Sequence, residues 1–136
     1  MNIIFFSDAV KDDGQLQKLL LILNRPEWYG PFIKDKIGVN QIVSGSLTAQ
    51  TLQLMGIETD ESMQFLREVE RLKSMRKILE KMNCKDLLYV LFQKGVLPEH
   101  IIYLNEEQLI AFDLKCPERI RILNGINDYL SGMIFT

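Results

Sequence analysis

The chain has 136 residues, 47% of them hydrophobic and 25% charged, values that fit one ordinary globular domain or two very small ones and leave little room for disorder. Its net charge of −2 and pI of about 5.4 supply no bulk attraction to nucleic acid or an anionic membrane. One histidine (His100), two cysteines (Cys84 and Cys116), and no glycine-rich phosphate loop or GxSxG turn thin the enzyme classes, because a Cys/His metal site takes about four ligands and those loops need their glycines.

In chain order, the texture is helical. Apolar residues recur at spacings of three and four, and alternating β-branched runs bounded by hairpin turns are missing. Ile3-Ile4-Phe5-Phe6 forms an apolar arm without a preceding basic stretch, so no signal peptide is expected and the arm is expected to pack on the first half of the chain. Leu16, Leu19, Leu20 and Leu23 predict a first helix that Asn24-Arg25-Pro26 ends. Trp28, Phe32 and Ile33 predict a second, interrupted by Gly30-Pro31, and Val39 to Val43 one short turn. Thr48 has the character of an N-cap, with Leu47 as the staple before it, and its helix stops at Gly56. The next helix begins at Thr59 or Asp60 and carries Met63, Leu66, Val69, Leu72 and Met75 on one side.

The second half follows the same order. Met75 to Met82 is a helix stopped near Asn83; Leu87 to Phe92 is another, closed by Gly95; Pro98 to Ile102 is a short turn. Leu104-Asn105 repeats the staple and cap, and the last helix starts at Pro117, a residue favoured in the first turn. At a shift of 57, Gly38 meets Gly95, Val39 meets Val96, Leu47 meets Leu104, Leu52 meets Leu109, Ile57 meets Leu114 and Val69 meets Ile126. Two copies of one five-helix unit are expected, residues 1–74 and 75–136, joined near Ser74 by a stretch without Gly or Pro that forms a helical linker.

Leu47-Thr48, Leu52, Met55-Gly56-Ile57, Leu66, Val69 and Leu72, with Trp28 and Phe32 upstream, resemble the sterile alpha motif (SAM) domain, and the second copy follows the outline through Leu104-Asn105, Leu109 and Phe112-Asp113-Leu114, with Tyr89 and Phe92 upstream. Asp113 stands where the family pattern has glycine. The resemblance implies an all-α protein of two tandem five-helix SAM-like domains. It implies a non-enzymatic adaptor or scaffold, with no cofactor or metal and with another protein, SAM-containing or a second copy, as partner. Such domains associate through an acidic mid-loop surface and a basic end-helix surface. Here the implied mid-loop residues are Glu99, Glu106 and Glu107, and the implied end-helix residues are Lys115, Arg119 and Arg121, on two separate faces.

The alternative is an RNA-binding module using the basic run Arg67, Arg71, Lys73, Arg76, Lys77, Lys81 and Lys85. Glu68, Glu70 and Glu80 interleave with it, which favours a solvated helix face. His100 is expected at the surface, both cysteines as buried small hydrophobes in a reducing compartment, and the protein in the cytoplasm, with the nucleus left open, without a membrane span.

Overall fold

The computed structural model describes residues 13–135, and these form helices and turns with no strand among them. In order they are α1 (Asp13–Ile22), a 3-10 turn (Pro26–Trp28) leading into α2 (Tyr29–Lys34), α3 (Val39–Ser44), α4 (Ala49–Leu54) and α5 (Thr59–Lys81). A second 3-10 turn (Lys85–Leu87) leads into α6 (Leu88–Gln93), followed by a 3-10 segment (Pro98–Tyr103), α7 (Glu106–Ala111) and α8 (Cys116–Phe135). The chain divides into two compact units between Glu70 and Arg71, inside α5 and a few residues before the expected join at Ser74. The Ile3–Phe6 arm lies outside the described residues.

Most of these helices are a turn or two long, so their unpaired terminal carbonyls dominate the local problem. Six ends are closed by the same device, a residue in the left-handed conformation: Asn24 (φ 62°), Lys36 (φ 59°), Gly56 (φ 94°), Asn83 (φ 58°), Gly95 (φ 78°) and Asp113 (φ 64°). At each, the following amide donates back five residues, as in Arg25 N to Leu20 O at 2.8 Å and Cys84 N to Leu79 O at 2.7 Å. The left-handed residue itself donates back three, as in Gly56 N to Gln53 O at 2.9 Å. This is the Schellman arrangement. The residues whose carbonyls take the longer bonds are Leu20, Phe32, Leu52, Leu79, Leu91 and Leu109, and all six are fully buried. Each of these six helix ends is thus tied to the centre of a core by its own backbone.

The starts are equally local. Thr48 Oγ1 accepts from Thr51 N at 3.2 Å, and Asn105 and Gln108 exchange bonds of 2.9 and 3.0 Å as a capping box. Gly30-Pro31, expected to break the second helix, lies inside its first turn, where proline's missing N–H has no partner to lose. Both caps and the stop at Gly56 fall where the sequence predicts them.

The left-handed residues also give the register of the repeat. Asn24 pairs with Asn83 and Lys36 with Gly95 at a spacing of 59, whereas Gly56 pairs with Asp113 at 57. The single shift of 57 is therefore correct only from Leu47 and Leu104 onward. Before that point Gly95 answers Lys36, not Gly38, and Val96 answers Ile37, not Val39. The two extra residues of the first unit lie between α3 and α4, at Gly45 (φ 88°) and Ser46. A loop insertion of this size leaves both flanking helices intact, so amphipathic spacing does not reveal it.

In the first unit Trp28, Phe32 and Phe65 form a ring cluster with centroids 4.9–6.0 Å apart. At the equivalent positions the second unit buries Leu87, Leu91 and Ile122. The aromatic pair expected there, Tyr89 and Phe92, is displaced: Tyr89 is exposed and Phe92 buried one position later than Leu91. Along α5 the buried residues are Ser62, Phe65 and Val69, then Leu72, Met75 and Leu79. Met63, expected on the buried side, is exposed, and Leu66 is half-buried, because the stripe begins one residue earlier at Ser62.

Leu52 and Leu109 are equivalent, fully buried and tied to left-handed turns, so Leu52→Ala and Leu109→Ala are each expected to cost about 2–5 kcal/mol, measured by urea denaturation. Glycine substitutions are expected to act in opposite senses at two sites. Lys36→Gly relieves a left-handed lysine and is expected to raise stability by about 0.5–1 kcal/mol. Gly125→Ala improves helix propensity, yet a Cβ there would meet Met82 O at 2.8 Å and Cys84 Sγ at 3.4 Å. It is expected to lower the melting temperature.

Candidate protein-binding surfaces

In the second unit, Asn105 opens α7 and places Glu106 and Glu107 in its first turn, both exposed and favourable to the helix dipole. Glu99 and His100 are exposed on the preceding 3-10 segment. Leu109 points into the core, which turns Ile110 outward. Ile110 is 52% exposed, one helical turn beyond Glu106 and Glu107, and Tyr103, just before the cap, is 73% exposed. Sequence reasoning found the carboxylates but not these two apolar residues. The available signal was the wheel of α7, on which Ile110 falls beside the glutamates and away from Leu109.

The expected basic face is dispersed. Arg119 is mostly buried, its side chain 19% exposed. Its Nη1 donates to Leu114 O at 2.7 Å, and its Nε lies 4.0 Å from Glu106 Oε1, too long for a hydrogen bond. Glu106 and Arg119, read from the sequence as belonging to separate faces, therefore lie beside each other. Arg121 points elsewhere, its Nη2 2.6 Å from Asp86 Oδ2. Two residues apart on a helix, the side chains of Arg119 and Arg121 diverge by more than half a turn. Lys115 is exposed and makes no ion pair among the described residues.

The basic run along and beyond α5 is likewise divided. Arg71 donates to Val96 O at 2.7 Å and Phe92 O at 3.1 Å, and its guanidinium lies 3.8 Å from the Phe92 ring centroid. It closes the end of α6 and covers Phe92, a packing role for a residue expected in a nucleic-acid stripe. Arg76 pairs with Glu80 at 2.7 Å, one turn on. Lys73 is half-buried, whereas Arg67, Lys77, Lys81 and Lys85 are exposed.

The cysteines separate. Cys84 is buried, with Sγ 3.3 Å from Met82 O, and burial pushes its thiol above the usual range while nearby Arg121 pulls part of the shift back. Cys116, expected to be buried, is exposed because it occupies the first position of α8. Among the described residues no group of His, Cys, Asp and Glu is placed to hold a metal ion, and no helix is long and apolar enough to cross a membrane. No family model, curated protein or solved structure matches the chain.

Arg71→Ala removes the guanidinium bonds to Val96 O and Phe92 O, the latter still accepting from Gly95 N, and uncovers Phe92; it is expected to cost about 2–4 kcal/mol. Arg71→Lys keeps the charge but not the two-carbonyl fork, and is expected to recover less than half of that loss in chemical denaturation.

Proposed function

We propose that this chain is a non-enzymatic protein-interaction adaptor made of two SAM-like five-helix units. Its docking face is the Tyr103–Ile110 surface of the second unit, with Glu99, Glu106 and Glu107 around it. The observation that carries the reading is the pairing of two exposed large apolar side chains with exposed carboxylates on one short stretch of chain. An apolar centre supplies affinity and a charged rim supplies steering and selection. The partner that fits is a protein surface with a small apolar knob among lysines or arginines.

The element order supports the SAM-like reading. In both units short helical elements precede a long helix, with a staple and cap, Leu47-Thr48 and Leu104-Asn105, at matching places. The nucleic-acid reading keeps less support, since Arg71 and Arg76 are engaged within the protein.

The test places a photo-crosslinking residue at Tyr103, identifies the protein captured, and measures its affinity for the full chain with both proteins purified. Tyr103→Ala and Ile110→Ala are each expected to weaken binding by about 1–2 kcal/mol. Glu106→Arg/Glu107→Arg is expected to weaken it further by setting like charge against a basic rim. Unchanged affinity in all three variants would remove this face from the interaction. Binding to RNA that falls steeply with salt, and is lost on Lys77→Glu/Lys81→Glu, would favour the nucleic-acid module instead.

A further inference from the structure

At the spacing of 59 the end of α2 and the end of α6 are built alike, bond for bond. Lys36 N donates to Ile33 O at 3.1 Å and Gly95 N to Phe92 O at 3.1 Å. Ile37 N donates to Phe32 O at 2.8 Å and Val96 N to Leu91 O at 3.2 Å. Asp35 N to Pro31 O and Lys94 N to Val90 O are both 3.1 Å. The two turns therefore present corresponding carbonyls, Ile33 O with Ile37 O in the first unit and Phe92 O with Val96 O in the second. Each pair belongs to a turn that begins at a large apolar side chain, Ile33 or Phe92.

What covers the two turns differs. In the second unit Arg71 donates to Val96 O at 2.7 Å and Phe92 O at 3.1 Å, its guanidinium lies 3.8 Å from the Phe92 ring centroid, and Phe92 is 2% exposed. In the first unit Ile33 is 41% exposed, and among the described residues no side chain donates to Ile33 O or Ile37 O. Position 12, which answers to Arg71 at this spacing, lies outside the described residues and is an aspartate, whose carboxylate has no proton to give a carbonyl. Local charge does not separate the two turns. Lys34, Asp35 and Lys36 carry a net of +1, as do Gln93, Lys94 and Gly95, and the second turn holds a guanidinium all the same.

We propose that the Ile33–Ile37 turn of the first unit is a docking notch for an arginine presented by a partner protein. The guanidinium donates to Ile33 O and Ile37 O, and its stem covers Ile33. The second unit selects this occupant, because the equivalent turn there is filled by a guanidinium on two carbonyls and an apolar side chain. A planar fork reaches two carbonyls at once and sheds its water at lower cost than an ammonium, which is a compact and strongly hydrated point donor. Ile33 has no ring, so it offers the stem apolar packing without the cation–π attraction that Phe92 adds. The notch lies in the first unit and is independent of the Tyr103–Ile110 face.

The test titrates the full chain, labelled with nitrogen-15, with the acetylated tripeptide amide Ala-Arg-Ala and with its lysine counterpart, and follows backbone amide shifts by NMR. The arginine peptide is expected to give saturable shifts at residues 33–38, and the lysine peptide to bind at least about fivefold more weakly. Ile33→Lys, at an exposed position, sets like charge against the incoming guanidinium and is expected to weaken binding about tenfold. Arg71→Ala opens the equivalent turn of the second unit and is expected to add saturable shifts at residues 92–96. Wild type without saturable shifts at residues 33–38 would overturn the proposal. So would equal binding of the lysine peptide, or an Ile33→Lys chain that binds as wild type does. Binding that appears only after Lys11→Ala would give the notch to the chain's own Lys11 and overturn the assignment to a partner. Tyr103→Ala is expected to leave the titration unchanged, which separates a failure here from a failure at the Tyr103–Ile110 face.

Discussion

A helix of six residues closes only a couple of its own hydrogen bonds, and α2, α3, α4, α6 and α7 are all of that length. Such helices are not stable by propensity, so their ends must be satisfied by something outside the regular ladder. Here the left-handed turn does this for α2, α4, α6 and α7, and also for α1 and α5, and each time the carbonyl accepting the five-residue bond belongs to a fully buried leucine or phenylalanine. Backbone closure and core burial are therefore one event at each end. Arg71 and Arg119 extend the same logic: each gives a guanidinium hydrogen bond to the carbonyl just after a left-handed residue, Val96 after Gly95 and Leu114 after Asp113.

That use of arginine determines what is left for binding. Charges that serve helix ends are withdrawn from the surface, and the two basic groupings legible in the sequence are both depleted in this way. What remains outside is mostly acidic around α7, with Tyr103 and Ile110 beside it. The proposed contacts combine modest apolar area with charge, the combination that selects partners and sets association rates more than it sets final affinity.

The α5 helix supplies buried residues to both units along one stripe, Ser62, Phe65 and Val69 on one side of the division and Leu72, Met75 and Leu79 on the other. The sequence stretch without Gly or Pro allows one long helix or two abutting ones, and the helix is continuous from Thr59 to Lys81. The apolar pattern starts the stripe at Met63, whereas the buried stripe starts at Ser62 and leaves Met63 exposed. Ser62 is a small polar residue at a fully buried position, and a hydrophobicity pattern passes over it.

The sequence by itself determined the helical class, the caps at Thr48 and Asn105, and the stops at Gly56 and Gly95. All of these are written in contacts within about five residues, where spacing and residue type state the geometry directly. It marked less well the left-handed Lys36, whose residue type does not advertise that conformation, and the two-residue loop difference that changes the spacing from 59 to 57. The fates of Arg71 and Arg121 were decided only by the tertiary structure. The carbonyls that take up Arg71 lie 21 and 25 residues away, and the carboxylate that takes up Arg121 lies 35 away. A guanidinium on a long flexible stem is satisfied by whatever acceptor folding brings near, and that acceptor is set by how helices pack, not by the residues beside it.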